Sequence, residues 1–232
     1  MFNEEFTAAS KGAAAKSALL KKNPGGYFLL SMLAGAYIGF GILLVFTLSG
    51  ALAGAPYTKL VMGCCFGIAL SLVVIAGAEL FTGNNLVMTA GLLRKTVTLG
   101  DALKLWGVCW VGNLAGSALL ALVFSLTGLY SDATLSAMTG AAAAKMTAGF
   151  IPLLTRGMLC NTLVCLAVWC GFRAKSDAGK LLMIFWCLLA FFATGFEHSI
   201  ANMTLLTLAL INNGSPTFRS CCPSQRSWGS AC

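Results

Sequence analysis

Charged residues are scarce in this chain, and their scarcity excludes the class of soluble globular proteins. Only 9% of the 232 residues are Asp, Glu, Lys or Arg, whereas a soluble domain carries about 25%. Because 58% of the residues are hydrophobic and the mean hydropathy is +0.86, we interpret the chain as a membrane protein. The net charge of +8 comes from basic residues in short loops without aromatic interleaving, so no nucleic-acid partner is expected.

Residue types that bind metals and cofactors are rare or unsuitably spaced. The chain has one histidine, and most of its ten cysteines lie inside apolar segments, where Cys behaves as a small hydrophobic residue. No Cys-x-x-Cys pair or Cys/His cluster has the spacing of a tetrahedral metal site. A single histidine also argues against haem held by two histidines. We therefore predict no metal, no cofactor and no enzymatic activity.

Apolar runs divide the chain into three predicted parts. Residues 1–26 form an N-terminal segment, either a short amphipathic helix lying on the membrane or a frayed tail. Residues 27–211 form a transmembrane bundle, with spans at about 27–50, 58–93, 103–127, 150–172 and 181–211. Between the third and fourth spans, a stretch rich in Ala, Ser, Thr and Gly is predicted to be a loop. Residues 212–232 form an irregular polar tail, which we interpret as truncated or out-of-frame sequence.

The basic residues predict the orientation of the bundle. One side carries Lys11, Lys16, Lys21, Lys22, Arg94, Lys95, Lys104, Arg173, Lys175 and Lys180. The other side carries Lys59, Lys145 and Arg156. Because cytoplasmic loops of membrane proteins are enriched in Lys and Arg, we expect the N-terminus to be cytoplasmic.

Two of the apolar stretches are too long for one span and share an interruption. The order Gly-x-Glu-x-x-x-x-Asn occurs from Gly77 to Asn84 and again from Gly195 to Asn202. The second copy also holds His198 directly after its glutamate. An ionisable residue at membrane depth costs about 2.5–3.5 kcal/mol and usually marks a pathway. Two interrupted, charged segments in corresponding halves are typical of inverted-repeat transporters with a site at the midplane.

The same segments resemble the formate/nitrite transporter family. The match is carried by four motifs in the family's order, Ala78–Asn84, Gly112–Leu114, Asn161–Ala167 and Phe196–Met203. Two stretches, Ala78–Gly83 and Trp186–Phe191, are similar to the nitrite-channel branch. The resemblance implies an all-α, aquaporin-like bundle with inverted repeats and two broken helices, in the inner membrane of a bacterium. It also implies a homopentamer with one anion pore per protomer. The family's sixth helix has no counterpart after Ile211.

The resemblance further implies which residues line the pore. A central histidine, His198, lies between two hydrophobic constrictions, an extracytoplasmic one of Phe66 and Phe191 and a cytoplasmic one of Leu70, Leu80 and Val164. Thr82 would hydrogen-bond toward the histidine, and Lys145 would attract anions in the outer vestibule. The supporting polar residues would be Glu79, Glu197, Asn161 and Asn202.

The residues themselves leave several of these roles open. The unperturbed pKa of a histidine is about 6.5, so His198 either attracts the anion as a cation or donates a proton to it. Because a carboxylate in the pore would repel an anion, we interpret Glu79 and Glu197 as acceptors of backbone N–H groups at the freed helix ends. A proton relay is the alternative. Thr82 is either a gate hydroxyl or a helix cap.

These observations predict a membrane channel or transporter for small monovalent anions, with nitrite first. The alternatives are a formate or hydrosulfide channel of the same family, and a non-conducting remnant lacking the sixth helix. The chain has neither the Asn-Pro-Ala motif of an aquaporin nor the paired histidines of an ammonium channel. The expected partners are the anion, the lipid bilayer and further copies of the chain.

Overall fold

Nine α-helices make up most of residues 2–212, the part of the chain described by the computed structural model. They are α1 (Asn3–Lys22), α2 (Pro24–Ala51), α3 (Thr58–Leu72), α4 (Phe81–Leu93), α5 (Leu99–Thr127), α6 (Asp132–Thr147), α7 (Phe150–Arg173), α8 (Asp177–Thr194) and α9 (Ser199–Ile211). A π-helical turn, Val73–Gly77, continues α3. The described range contains no strand, so the predicted all-α class is confirmed.

Five helical stretches within residues 2–212 are long and apolar enough to cross a membrane. They are Pro24–Ala51, Thr58–Gly77, Leu99–Thr127, Phe150–Arg173 and Asp177–Thr194. Each overlaps a predicted span; the first, third and fifth begin a few residues earlier than predicted, and the second and fifth end where the predicted break begins. The prediction of an irregular tail falls on residues 213–232, which lie outside the described range.

The segment between α5 and α7 is a helix, so the prediction of a loop there is wrong. The Ser131 side chain caps α6 by accepting a hydrogen bond from the Thr134 N–H at 3.2 Å. Asp132 lies in the first turn, where a negative charge is stabilised by the helix dipole. The helix packs against α2 and α9, and Lys145 near its end is therefore held by the bundle.

The N-terminal segment forms helix α1, and the alternative of a frayed tail is wrong. Its small residues Ala9 and Ala13 are fully buried where it packs on α4. Its last turn is tied to α5 by an ion pair of 2.7 Å between Lys21 and Asp101. The helix is thus part of the bundle rather than an appendage of it.

Helices α1–α4 and α6–α9 form two structural repeats. Each repeat consists of a shorter helix, a long helix and two half-helices that are separated by a break. The first half-helix of each repeat ends at a glycine with positive φ, 81° at Gly77 and 80° at Gly195. The next residue donates its N–H to the carbonyl oxygen of Val73 or Phe191, at 3.1 Å in both repeats. This is the hydrogen bond of a Schellman motif, and its left-handed residue favours glycine. The two glycines therefore end both half-helices inside the bundle.

Small residues bring α5 into backbone contact with α2. A Cβ placed on Gly116 would lie 1.8 Å from the Met32 carbonyl oxygen, and one on Gly35 would lie 2.1 Å from the Asn113 carbonyl oxygen. Only glycine fits so close an approach, which is the usual way for membrane helices to pack tightly. The contact fixes Asn113 beside the break between α3 and α4.

Candidate functional site

His198 lies at the break between α8 and α9, and both of its ring nitrogens are engaged. Nδ1 accepts a hydrogen bond from the Ala201 N–H at 3.0 Å and thereby caps α9. Nε2 lies 3.2 Å from Oγ1 of Thr82. Because Nδ1 acts as an acceptor, a neutral ring carries its proton on Nε2, which donates to the threonine hydroxyl. The ring is buried, so its orientation is fixed by these two contacts.

Thr82 lies in the first turn of α4, on the opposite repeat from His198. It does not cap α4, whose N-cap position is Leu80, so the cap alternative for Thr82 is wrong. Its carbonyl oxygen accepts a hydrogen bond of 3.0 Å from Nδ2 of Asn161 on α7. Asn85, for which the sequence predicts no role at the site, donates to Oδ1 of Asn161 at 2.9 Å. The threonine that faces the histidine is therefore held in place from both repeats.

Aromatic rings form one of the two hydrophobic groups near the histidine. The rings of Phe66 and Phe191 meet edge to face with centroids 5.6 Å apart. Phe191 is also stacked on the His198 ring at 5.9 Å. A third ring, Phe192, lies 5.0 Å from Phe66 and was not anticipated from the sequence. Phe191 and Phe192 are adjacent in the sequence, which by itself does not indicate which ring faces the histidine. Both rings contact Phe66.

The second hydrophobic group consists of Leu70, Leu80 and Val164. All three are buried in the same core cluster as the phenylalanines. Leu70 follows Phe66 by one helical turn on α3, about 6 Å along the helix axis. The two groups are therefore separated by roughly one turn.

Two cavities approach these groups, and their linings share no residue. The larger cavity has a volume of about 1020 Å³ and reaches Phe66, Phe191 and His198. The smaller has a volume of about 500 Å³ and reaches Leu70 and Leu80. The larger cavity thus reaches the aromatic group and His198, and the smaller cavity reaches the aliphatic group.

Glu79 in the first break is buried and accepts hydrogen bonds from three side chains. The donors are Lys16 Nζ at 2.5 Å, Tyr27 Oη at 3.1 Å and Asn84 Nδ2 at 2.9 Å. They belong to α1, α2 and α4, so the expectation that backbone N–H groups serve this carboxylate is wrong. The carboxylate connects three helices at the point where the chain turns.

Asn113 on α5 satisfies the backbone of the first break and was assigned no role from the sequence. Its Nδ2 donates to the carbonyl oxygens of Ser31 at 2.7 Å and Glu79 at 2.9 Å. Its Oδ1 accepts the Phe81 N–H at 3.0 Å. The sequence does indicate a structural role for Asn113, because an amide inside an apolar helix needs buried hydrogen-bond partners. Which partners it has depends on the fold.

Glu197 in the second break repeats the environment of Glu79. Its carboxylate forms an ion pair with Lys145 of α6 and accepts a hydrogen bond of 3.0 Å from Asn202 Nδ2. Its N–H donates to the Arg156 carbonyl oxygen at 3.4 Å. The expected backbone donors are again replaced by side chains. Lys145, which the resemblance implies attracts anions in the outer vestibule, lines the larger cavity and is paired with Glu197.

Comparison with known proteins agrees with this architecture. The family profile described as formate/nitrite transporter matches residues 3–231, which extends beyond Ile211, the last residue of the predicted bundle. The nitrite transporter NirC of Salmonella typhimurium is 43% identical over 219 residues, covering 94% of this chain and 81% of that protein. The formate channel FocA of Escherichia coli is 34% identical over 205 residues, covering 85% and 71%.

Solved structures show the same fold. An ion channel of this family superposes with a TM-score of 0.88 at 42% identity, covering 94% of this chain and 87% of that one. A pentameric formate channel with formate bound superposes with a TM-score of 0.73 at 30% identity, covering 92% and 82%. The predicted family and fold are therefore confirmed. The chain is a member of the formate/nitrite transporter family.

Proposed function

We propose that this chain conducts small monovalent anions across the membrane, and that nitrite is the first of them. The observation that carries the proposal is the buried Thr82–His198 contact beside two buried hydrophobic groups, with one cavity reaching His198 and the phenylalanines and a second cavity reaching Leu70 and Leu80. The 43% identity to nitrite transporters supports nitrite. Formate is the second candidate, supported by the 30% identical channel that holds formate. No catalytic reaction is part of the proposal.

The geometry favours a neutral His198 that offers a hydrogen bond rather than a charge. Adding a proton at Nδ1 would place two N–H groups face to face and remove the cap of α9. The Nε2–H and the Thr82 hydroxyl are then the polar groups at the barrier. An unpaired ion in an apolar constriction is very costly, so a hydrogen-bond donor at this point lowers the barrier for the anion or its neutral acid.

The test is nitrite uptake into proteoliposomes by the unaltered protein and two variants. His198→Phe removes both the cap and the donor, and we expect it to lose at least about tenfold in flux and its pH dependence, since a single buried donor is worth about 1–3 kcal/mol. His198→Asn is the matched control, because Asn caps helices well and carries an amide donor. We expect it to fold normally and keep more flux than the Phe variant. Unchanged flux and an unchanged pH profile in His198→Phe would remove the histidine from the mechanism.

We further propose a homopentamer in the inner membrane of a bacterium, with a pore in each protomer and a cytoplasmic N-terminus. Support comes from the pentameric neighbour and from large exposed apolar side chains, among them Leu122, Leu126, Ile151 and Met158. Such a surface fits lipid or a neighbouring protomer. The mass of the detergent-solubilised complex tests the oligomer. Accessibility of a cysteine introduced at Lys11, an exposed residue of α1, tests the orientation.

A further inference from the structure

The basic side of the bundle, predicted to be cytoplasmic, holds both engaged and free cations. Ion pairs engage Lys16, Lys21, Arg173 and Lys180. Arg94 donates a hydrogen bond to Asn3 and lies 5.3 Å from the centroid of the Phe6 ring. Within residues 2–212, no ion pair engages the other basic residues of this side, which are Lys11, Lys22, Lys95, Lys104 and Lys175. Two of these, Lys95 and Lys104, lie on either side of the first residue of α5, Leu99.

Lys95 ends α4 in a left-handed backbone conformation. Its φ is 56°, the only positive φ of a non-glycine residue in the described range. Its N–H donates to the Leu92 carbonyl oxygen at 3.1 Å, and the Thr96 N–H donates to the Gly91 carbonyl oxygen at 2.9 Å. These are the two hydrogen bonds of a Schellman motif, whose left-handed position usually holds glycine. The backbone therefore favours glycine where the chain presents an exposed lysine.

Lys104 lies inside a membrane span and is exposed. It is in the second turn of α5, about 8 Å from Leu99 along the helix axis. Helical side chains lean toward the N-terminus of their helix, and a lysine near the end of a span extends its ammonium to the membrane surface. The Lys104 ammonium is therefore directed to the end of α5 where Lys95 lies.

An apolar face, here called the α5 face, runs along the same turns of the helix. Its residues are spaced by three or four positions and so lie on one side of α5: Leu99, Leu103, Gly107, Trp110 and Leu114. The four side chains are 36% to 60% exposed. A Cβ placed on Gly107 would meet no atom within 4 Å, so this glycine leaves a depression between Leu103 and Trp110. From Leu99 to Trp110 the face is about 16 Å long, which is half of a hydrocarbon core of about 30 Å.

The charge at this end of α5 is not balanced by a carboxylate. Asp101 is the only acidic residue of α5, and its carboxylate is engaged by Lys21 at 2.7 Å and by the Thr98 hydroxyl at 2.8 Å. A zwitterionic headgroup would bring its own ammonium toward the two lysines, whereas an anionic headgroup brings an uncompensated phosphate. The two lysines therefore favour an anionic lipid.

We propose that Lys95 and Lys104 bind the phosphate of an anionic phospholipid, phosphatidylglycerol, and that one of its acyl chains lies on the α5 face. Two cations beside an apolar face as long as one leaflet match the two parts of a phospholipid, a charged headgroup and an acyl chain. The site lies outside the linings of both cavities. It does not depend on which anion the chain conducts.

The experiment measures lipid binding to the purified whole chain by native mass spectrometry, with phosphatidylglycerol and phosphatidylcholine of identical acyl chains. The variants are Lys95→Gly, Lys104→Gln and their combination. A lysine near an anionic membrane surface contributes about a fivefold change in affinity. We therefore expect each single variant to lose about fivefold and the double variant about 25-fold in affinity for phosphatidylglycerol, with the affinity for phosphatidylcholine unchanged.

The control is Lys11→Gln, which removes an exposed lysine of α1 and should leave both affinities unchanged. The residues one turn from Lys11 include no large apolar side chain: they are Thr7, Ala8, Ala14 and Ala15. Lys95→Gly separates binding from folding, because glycine fits the left-handed position and should keep or raise the melting temperature. Gly107→Leu fills the depression and should weaken phosphatidylglycerol binding severalfold although both lysines are present.

Four results would overturn the proposal. The first is equal affinity of the unaltered chain for the two lipids, and the second is a preference for phosphatidylglycerol that survives in the double variant or falls equally in Lys11→Gln. The third is displacement of the lipid by inorganic phosphate, which would show that the lysines bind a free anion. The fourth is dissociation of the oligomer by Gly107→Leu, which would show that the α5 face contacts a neighbouring protomer. Loss of nitrite and formate flux in the unaltered chain would refute the proposed function and leave the lipid site standing.

Discussion

Replacing Glu79 by Gln tests whether the carboxylate of the first break is structural. The change removes the negative charge that Lys16, Tyr27 and Asn84 share, and leaves the Lys16 ammonium beside a neutral amide. Removing one partner of a fully buried ion pair costs about 3–5 kcal/mol. The Lys16 side chain is 25% exposed and the Glu79 side chain 10%, so solvent screening lowers the expected cost to about 2–3 kcal/mol. In a chain of this size that corresponds to roughly 4–12 °C in melting temperature.

A double-mutant cycle separates the ion pair from the other contacts of Glu79. Lys16→Met alone keeps the hydrogen bonds from Tyr27 and Asn84 to the carboxylate. Combining it with Glu79→Gln removes both charges, so the double variant should recover about 1–2 kcal/mol relative to the sum of the single variants. The assay is thermal unfolding of the purified protein in detergent, together with anion preference in proteoliposomes. A Glu79→Gln protein of unaltered melting temperature and changed anion preference would show that the carboxylate faces the substrate instead.

Three further substitutions test single contacts. Asn113→Ala removes the hydrogen bonds of this amide to three backbone groups, of which the Glu79 carbonyl oxygen keeps the Cys109 thiol as a donor, so it should cost about 2–4 kcal/mol in the same unfolding assay; an unshifted transition would contradict this account of the break. Gly195→Ala places a side chain at a φ of 80° with no atom within 4 Å, so it should lose about 1 kcal/mol by backbone strain alone, whereas Gly140→Ala on helix α6 should be neutral or stabilising. Thr82→Val should lower nitrite flux severalfold and Thr82→Ser should retain it, because the hydroxyl is the group that is hydrogen-bonded to His198; equal fluxes in both variants would exclude a role for the hydroxyl.

The broken helices were predictable because their signals are local. A glycine that ends a helix and a glutamate inside an apolar run stand close together in sequence, and their repetition indicates the architecture. The pairing of Thr82 with His198 came from the family resemblance alone. Nothing in either segment says that a threonine of one repeat meets a histidine of the other.

The partners of the two glutamates were not predictable, because they come from distant parts of the chain. The carboxylates were expected to accept backbone N–H groups, the nearest donors at a helix end. Lys16 and Lys145 precede their glutamates by many residues, and their reach depends on how α1 and α6 pack. Helix α6 was itself missed, because Ala, Ser, Thr and Gly occur in both loops and helices, and the cap at Ser131 was not recognised.

Comparison of the two repeats separates the parts of the site that build the fold from those that carry chemistry. The lysine, the glutamate and the asparagine of each break recur with the same contacts, so they serve the shared architecture. The residue after each glutamate does not recur: it is Leu80 in the first break and His198 in the second. Under the proposed function, the Nε2–H of this single histidine and the Thr82 hydroxyl are the polar groups that meet the anion beside the apolar side chains.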